Sequence, residues 1–308
     1  MDKFLAKWKR KISKGDSMEP PSAKRRRISC EYGFRESFLN YLKKNANPRL
    51  LLKLMQVSKY FWFKEFPFFV VKDIRYENDQ WQYRGLKRPL QCEMCSNLFH
   101  PIDIEKITKK LWIVESFPIR PDYNLFSTLV SKIAVCNITE LVLYDDLSLS
   151  ELKLLNVNEI KDAFFGGAII TQSNGDIVSV ETILQLFPKA KNFCFDFYEA
   201  ASFSFKPEST KNIIKALKKS RIQSFKLENI PETFDFEAFF EFMHQNPAKR
   251  YYLDFSTNIS AQYSRELQAA VNNFIENHFE DYTTVLISFF DQDDDSYEKF
   301  EEACNRPF

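Results

Sequence analysis

Ile222-Gln223-Ser224-Phe225-Lys226-Leu227 is the stretch on which the fold turns. Its apolar residues stand at the first, fourth and sixth positions. Phe225 and Leu227, two apart, therefore point to one side of an extended strand and Lys226 to the other. The spacing recurs at Ile138/Leu141/Leu143, Ile160/Ala163/Phe165, Ala190/Phe193/Phe195, Ala248/Tyr251/Leu253 and Tyr282/Val285/Ile287. The six copies begin 22, 30, 32, 26 and 34 residues apart. Each triplet opens one strand of a repeat.

Between the triplets the apolar spacing changes from two to three and four. Val180, Ile183, Leu184 and Phe187 form one such set, and Ile213, Ile214 and Leu217 a second. Phe236, Phe239, Phe240 and Met243 follow, then Leu267, Ala270, Val271, Phe274 and Ile275. Each set lines one face of a helix. Ser179 is placed to cap the first helix and Ser209 or Thr210 the second, while Pro188 and Pro247 fall where a proline stops a helix. A strand and a helix repeated every 22 to 34 residues predict an α/β chain wound as a leucine-rich-repeat-like β/α solenoid, in which each unit buries its apolar faces against its neighbours. A doubly wound sheet gives the same local signal and stands as the alternative. The chain has six glycines and no glycine-rich phosphate-binding motif, which argues against a nucleotide-binding version of that alternative.

Ahead of the repeats, residues 1–32 carry Lys7, Lys9, Arg10, Lys11, Lys24, Arg25, Arg26 and Arg27 among prolines and serines, and read as a disordered basic tail. Lys9-Arg10-Lys11 and Lys24-Arg25-Arg26-Arg27 have the layout of a bipartite nuclear localisation signal, suited to the acidic grooves of an import receptor; a solvated tail is the plainer reading. Ser29, just behind Arg26 and Arg27, is a candidate phosphorylation site for a basophilic kinase. Over the whole chain 43 basic residues balance 42 acidic ones, so net charge supports neither a general nucleic-acid nor a membrane-surface role. The cysteines at 30, 92, 95, 136, 194 and 304 are scattered, as expected of reduced thiols. With no signal-peptide core and no long apolar run, the expectation is a soluble protein of the nucleus, the cytoplasm or both.

Candidate chemistry is sparse. Cys92 and Cys95 with His100 offer three zinc ligands but lack a fourth, so free thiols are favoured. Asp291, Asp293, Asp295 and Glu302 match calcium-loop spacing, but Ser296 replaces the required glycine, which favours an acidic loop capping the last helix. His244 and His278 end amphipathic helices, where an imidazole meets the terminal carbonyls. The 32 phenylalanines occupy core-type positions without an interleaved basic stripe, which speaks against base stacking. None of these motifs supports a cofactor or a bound metal, and neither is expected.

In residues 33–65, Phe34, Phe38, Tyr41 and Leu42 line one helical face. Beyond Pro48, Leu50 to Val57 form a second, densely apolar helix closed by Lys59-Tyr60-Phe61. Two short helices cannot bury that much apolar surface between themselves. The run Leu51-Leu52-Lys53-Leu54-Met55-Gln56-Val57-Ser58-Lys59-Tyr60-Phe61 resembles an F-box, and its continuation through Phe66-Pro67-Phe68-Phe69-Val70-Val71-Lys72-Asp73 resembles the nematode-expanded F-box families. Gly33-Phe34 stands where those families carry Leu-Pro. The resemblance implies a substrate-recognition subunit of an SCF-type cullin-RING ubiquitin ligase, a chain that is not itself an enzyme. Leu39, Leu42, Leu51, Leu54, Val57 and Phe61 would supply apolar contacts to a Skp1-type adaptor, and the repeat domain of residues 66–308 would hold a protein substrate. If the triplets face inward, their outward neighbours Tyr144, Asp196, Lys226, Glu228, Tyr252 and Asp254 form the substrate face. The alternative is a non-ligase nuclear or cytoplasmic interaction module with a degenerate F-box.

Overall fold

Short strands with one apolar side cannot stand alone, and here they are gathered into one large, mostly parallel sheet with helices against one face. The computed structural model describes residues 68–86, 98–119, 125–197, 202, 204–278 and 284–304, with helical residues 37, 38, 41, 42, 50 and 52–54 ahead of them. The chain enters through β1 (Phe68–Glu77), β2 (Gln80–Gly85), β3 (Phe99–Pro101) and β4 (Lys110–Ile119), then α1 (Leu125–Lys132) and β5 (Ile133–Cys136). β6 (Glu140–Leu143), β7 (Leu147–Ser148), α2 (Leu149–Leu154), β8 (Asp162–Gly166), β9 (Ile170–Thr171) and α3 (Val180–Gln185) follow. The remainder is β10 (Asn192–Asp196), α4 (Ser209–Lys219), β11 (Ser224–Ile230), α5 (Phe236–His244), β12 (Arg250–Phe255), α6 (Ala261–His278), β13 (Thr284–Ser288) and α7 (Asp294–Cys304). Among the described residues, no helix is long and apolar enough to cross a membrane.

The strand order is β13-β12-β11-β10-β8-β6-β4-β1-β2-β3, with β5 alongside β4 and a separate small pair of β7 with β9. From β1 and β4 to β13 every pairing in this order is parallel, and each later strand adds at the same growing edge. Among the described residues only the antiparallel β2 and β3 lie beyond β1, so this order lacks the two parallel halves wound in opposite directions that define a doubly wound sheet. The register repeats as well. The carbonyl of Thr139 accepts from the backbone N–H groups of Lys161 (2.7 Å) and Asp162 (3.1 Å). Lys161 accepts likewise from Lys191 (2.7 Å) and Asn192 (3.1 Å), and Lys191 from Gln223 (2.7 Å) and Ser224 (3.0 Å). One geometry therefore sets the entry of successive strands.

The inward triplet positions build the core. Every described member of the six triplets is buried except Ala248, which is exposed; Tyr282 lies outside the described residues. A file of rings runs from unit to unit: Phe165 to Phe193 at 5.8 Å, Phe193 stacked on Phe225 at 6.1 Å, Phe225 to Phe239 at 6.0 Å and Phe239 to Tyr251 at 6.2 Å. Each buried ring contributes about 1.5 to 3 kcal/mol of transfer free energy, so the file ties strand to helix and unit to unit. Neighbouring helices from α3 to α7 touch in chain order.

The helix starts differ in detail from the sequence reading. Ser179 caps α3 without a side-chain bond to the backbone, its hydroxyl meeting Thr182 at 2.9 Å instead. Glu208, rather than Ser209 or Thr210, is the cap of α4. Both hydroxyl residues are buried: Ser209 accepts from the Lys206 N–H (3.2 Å) and Thr210 from the N–H of Asp235 (3.0 Å), the residue that caps α5. Helix starts in adjacent units are thereby tied together. The described residues between 68 and 136, where no repeat is legible, form the entry edge. There Asn78 and Asp79, both at positive φ, make a two-residue turn between β1 and β2.

Candidate functional site

Alternation leaves the second face of the sheet outside the helical layer. From β6 to β13, Val142, Phe164, Cys194, Lys226, Tyr252 and Leu286 stand in one row, each half-buried and paired in register with the next. Parallel sheets are ordinarily covered on both faces, so a half-buried row containing valine, leucine and aromatic rings, over which no described helix packs, is apolar surface in need of an explanation. A shallow depression of about 360 Å³ lies over it, lined among others by Val142, Phe164, Cys194, Lys226 and Tyr252.

Polar rows flank this floor. Toward the strand starts are Glu140, Asp162, Asn192, Ser224 and Arg250; toward the strand ends are Gly166, Asp196, Glu228, Asp254 and Ser288. Glu228 holds Lys226 at 2.9 Å and accepts from the Cys194 thiol at 3.4 Å. Asn229, in left-handed backbone at φ 53° where β11 slips register against β12, donates to Asp196 at 2.7 Å, and Ser288 donates to Asp254 at 2.5 Å. Tyr144 lies just past β6 with its ring 5.4 Å from that of Phe164 and directly over Gly166. A Cβ at Gly166 would fall on the Tyr144 ring and 2.7 Å from the Phe164 ring, so glycine is required for Tyr144 to occupy that place.

The electrostatics follow from burial. Burial, then the nearby Glu228 carboxylate, pushes the Cys194 thiol well above its ordinary range, so it is a neutral donor rather than a nucleophile. For Lys226 burial acts downward, but the hydrogen bond and charge of Glu228 outweigh it and the ammonium is held above its usual value. All six residues expected to form a substrate face, Tyr144, Asp196, Lys226, Glu228, Tyr252 and Asp254, are half-buried on or beside this one surface. Sequence reasoning did not single out Val142, Phe164, Cys194 and Leu286, the apolar floor between them. Their signal was available, since each stands between the last two members of a triplet.

Other candidates resolve differently. Asp293 accepts from the Ser296 N–H at 2.7 Å at the start of α7, the cap expected in place of a calcium loop. Cys92 and Cys95 lie outside the described residues, and His100 sits in β3 with its ring 5.7 Å from Tyr83. Among the described residues no group of three metal-ligating side chains comes together. His244 ends α5 and His278 ends α6. Leu39, Leu51, Val57 and Phe61 lie outside the described residues, as do Ser29 and the basic residues Lys9 to Lys11 and Lys24 to Arg27. Leu42 and Leu54 are half-buried and Leu52 is buried, whereas Phe38, Tyr41 and Leu50 are 44%, 60% and 41% exposed.

One polar cluster had no counterpart in the sequence reading. Asp73, 1% exposed on β1, accepts from the Ser116 hydroxyl (2.6 Å) and N–H (3.2 Å) and pairs with the Arg84 guanidinium across the hairpin. Both oxygens of that carboxylate face structural donors, so its role is to join β1, β2 and β4. Comparison of the chain with protein-family models, with curated proteins and with solved structures found no match.

Proposed function

We propose that the chain is the substrate receptor of an SCF-type cullin-RING ubiquitin ligase. Its F-box-like segment at 33–65 holds a Skp1-type adaptor, and its sheet domain, read as a leucine-rich-repeat-like solenoid, holds a protein substrate. The observation that carries the reading is the open sheet face: a largely apolar floor, charged margins and a broad, shallow depression. Such a surface suits a polypeptide partner. Exposed Phe38, Tyr41 and Leu50 support a second docking point ahead of the sheet. The receptor itself performs no chemistry; it brings the substrate to the ligase. The basic clusters at 9–11 and 24–27 serve as the import signal in this reading.

The test is co-purification of tagged protein with a Skp1 homologue. Wild-type chain captures the adaptor, and Leu51→Asp combined with Leu54→Asp loses it while the circular dichroism of the sheet domain is retained. Wild-type chain that captures no adaptor removes the ligase reading and leaves a non-ligase interaction module.

A further inference from the structure

The chemistry of the open face narrows what it binds. Glu140 of β6 stands directly opposite Asp162 of β8, and Asp196 of β10 directly opposite Glu228 of β11. Like charges in directly opposed strand positions repel; Asn192 donates to Asp162 at 2.5 Å, Asn229 to Asp196, and Lys226 to Glu228. Glu140 and Asp162 line the depression and Asp196 and Glu228 lie two residues beyond its floor, with Phe164 and Cys194 between the two pairs and Lys226, held by Glu228, at the floor's side. Asp254 extends the acidic margin by one strand, against Arg250 at the opposite margin. Negative charge on both sides of a half-buried, largely apolar floor is complementary to a cationic segment with an apolar centre.

We propose that the occupant of this face is an extended Lys/Arg-rich peptide segment of a partner protein. One apolar side chain sits in the depression and a cation on either side meets a carboxylate pair. Binding exchanges the cross-strand repulsion for two sets of opposite-charge contacts and covers the apolar row. The pairs are four residues apart along the strands and two strands apart across them, roughly 16 Å along the diagonal at standard sheet spacings. An extended segment covers that distance in about five residues. The recognised pattern is therefore two cationic positions about five residues apart around a single leucine or aromatic residue. This deepens the receptor reading by naming the substrate class, and it rests on the open face being the substrate side.

The experiment is fluorescence anisotropy on the full-length chain. The probe is a labelled peptide of about a dozen residues carrying two Lys-Arg pairs about five residues apart around a central leucine. Saturable binding that weakens about tenfold or more in Asp162→Lys and again in Glu228→Lys, and falls steeply with added salt, is the expected result. Loss of binding on replacing the central leucine with aspartate completes it. Glu228→Gln, a milder change, keeps the test valid if the lysine variants fail to fold, and is expected to weaken binding in the same direction. Binding that an all-glutamate probe reproduces, binding indifferent to Asp162 and Glu228, or no binding overturns the proposal. Tighter binding of a peptide spanning residues 5–28 would assign the face to the chain's own basic segment. Dimerisation reversed by Asp162→Lys would assign it to a second copy, and either result also overturns a partner peptide as occupant. Adaptor capture by the wild-type chain, measured in parallel, separates a wrong substrate class from a wrong receptor reading.

Discussion

The entry edge and the repeated part share one sheet but are held by different physics. From β6 to β13 the same apolar spacing recurs, and the units are joined by buried rings such as Phe193 on Phe225. At β1, β2 and β4 no triplet recurs; Asp73, in register through Ser116 with Glu140 of the outward row, joins three strands as one buried carboxylate with Arg84 and Ser116. The first arrangement is non-directional and extends by repetition. The second is directional and specifies one hairpin against one strand. A growing edge needs the former, while a closing edge gains from the latter, because β2 and β3 turn antiparallel and are the last strands of the described sheet.

That contrast is broken most severely by emptying the ring file. Phe225→Ala, at a position with no exposure and rings on both sides, costs about 3 to 5 kcal/mol. Because units stabilise one another, the loss is expected to spread along β10 to β12. Urea unfolding gives the magnitude, and hydrogen exchange shows whether protection falls in those strands and not in β1 and β2. Equal loss in both regions would mean that the sheet unfolds as one cooperative block.

Asp73→Ala probes the other region. It leaves Arg84 and Ser116 without their shared acceptor and costs about 3 kcal/mol. Here the loosened amides are expected in β1, β2 and the start of β4. A change confined below about 1 kcal/mol would make the cluster a surface pair in energetic terms.

A smaller effect comes from pH. Cys136 on β5 is buried, which raises its thiol to about 12 from the ordinary 9.0. A raised folded-state value means that the contribution is fully present below the unfolded pKa and is lost as pH climbs from about 9 toward about 12. By pH 10 the thiol costs about 1 kcal/mol. Cys194 and Tyr263 are raised in the same sense, chiefly by burial, so the repeated part also weakens in alkali. Cys136→Val flattens the decline in urea midpoint between pH 8 and pH 10 only by the share belonging to the entry edge.

These two regions also differ in how far the sequence exposes them. A period of apolar residues is visible without a partner, so the triplets located β6, β8, β10, β11, β12 and β13, and their outward neighbours located the open face. The entry edge depends on pairings between distant residues. Asp73 looks like a solvated charge until Arg84 is placed opposite it, and the Asn78-Asp79 turn that does so is only two residues long. The apolar floor was overlooked for another reason. Cys194 and Phe164 look like core residues, and they form a surface only because no helix among the described residues packs over them. Ala248 shows the reverse case, an apolar residue in the right register that the chain leaves exposed beside Pro247.

The finest of the contrasts lies within the repeated part itself, where one directional contact accompanies the rings. Thr210, fully buried at the start of α4, accepts from the N–H of Asp235, and Asp235 in turn accepts from the Ala238 N–H to cap α5. Thr210→Val keeps the volume but removes the acceptor, leaving a backbone N–H unsatisfied at a cost of about 1 to 2 kcal/mol. If this bond serves only as local capping, the loss adds to that of Phe225→Ala. If it holds one unit in register with the next, the two changes couple, because Phe225 packs on Phe239 of the same α5. A double-mutant cycle in urea decides between them. Coupling of about 0.5 kcal/mol or more would show that the repeats, like the entry edge, rely on a directional bond to fix how neighbours meet.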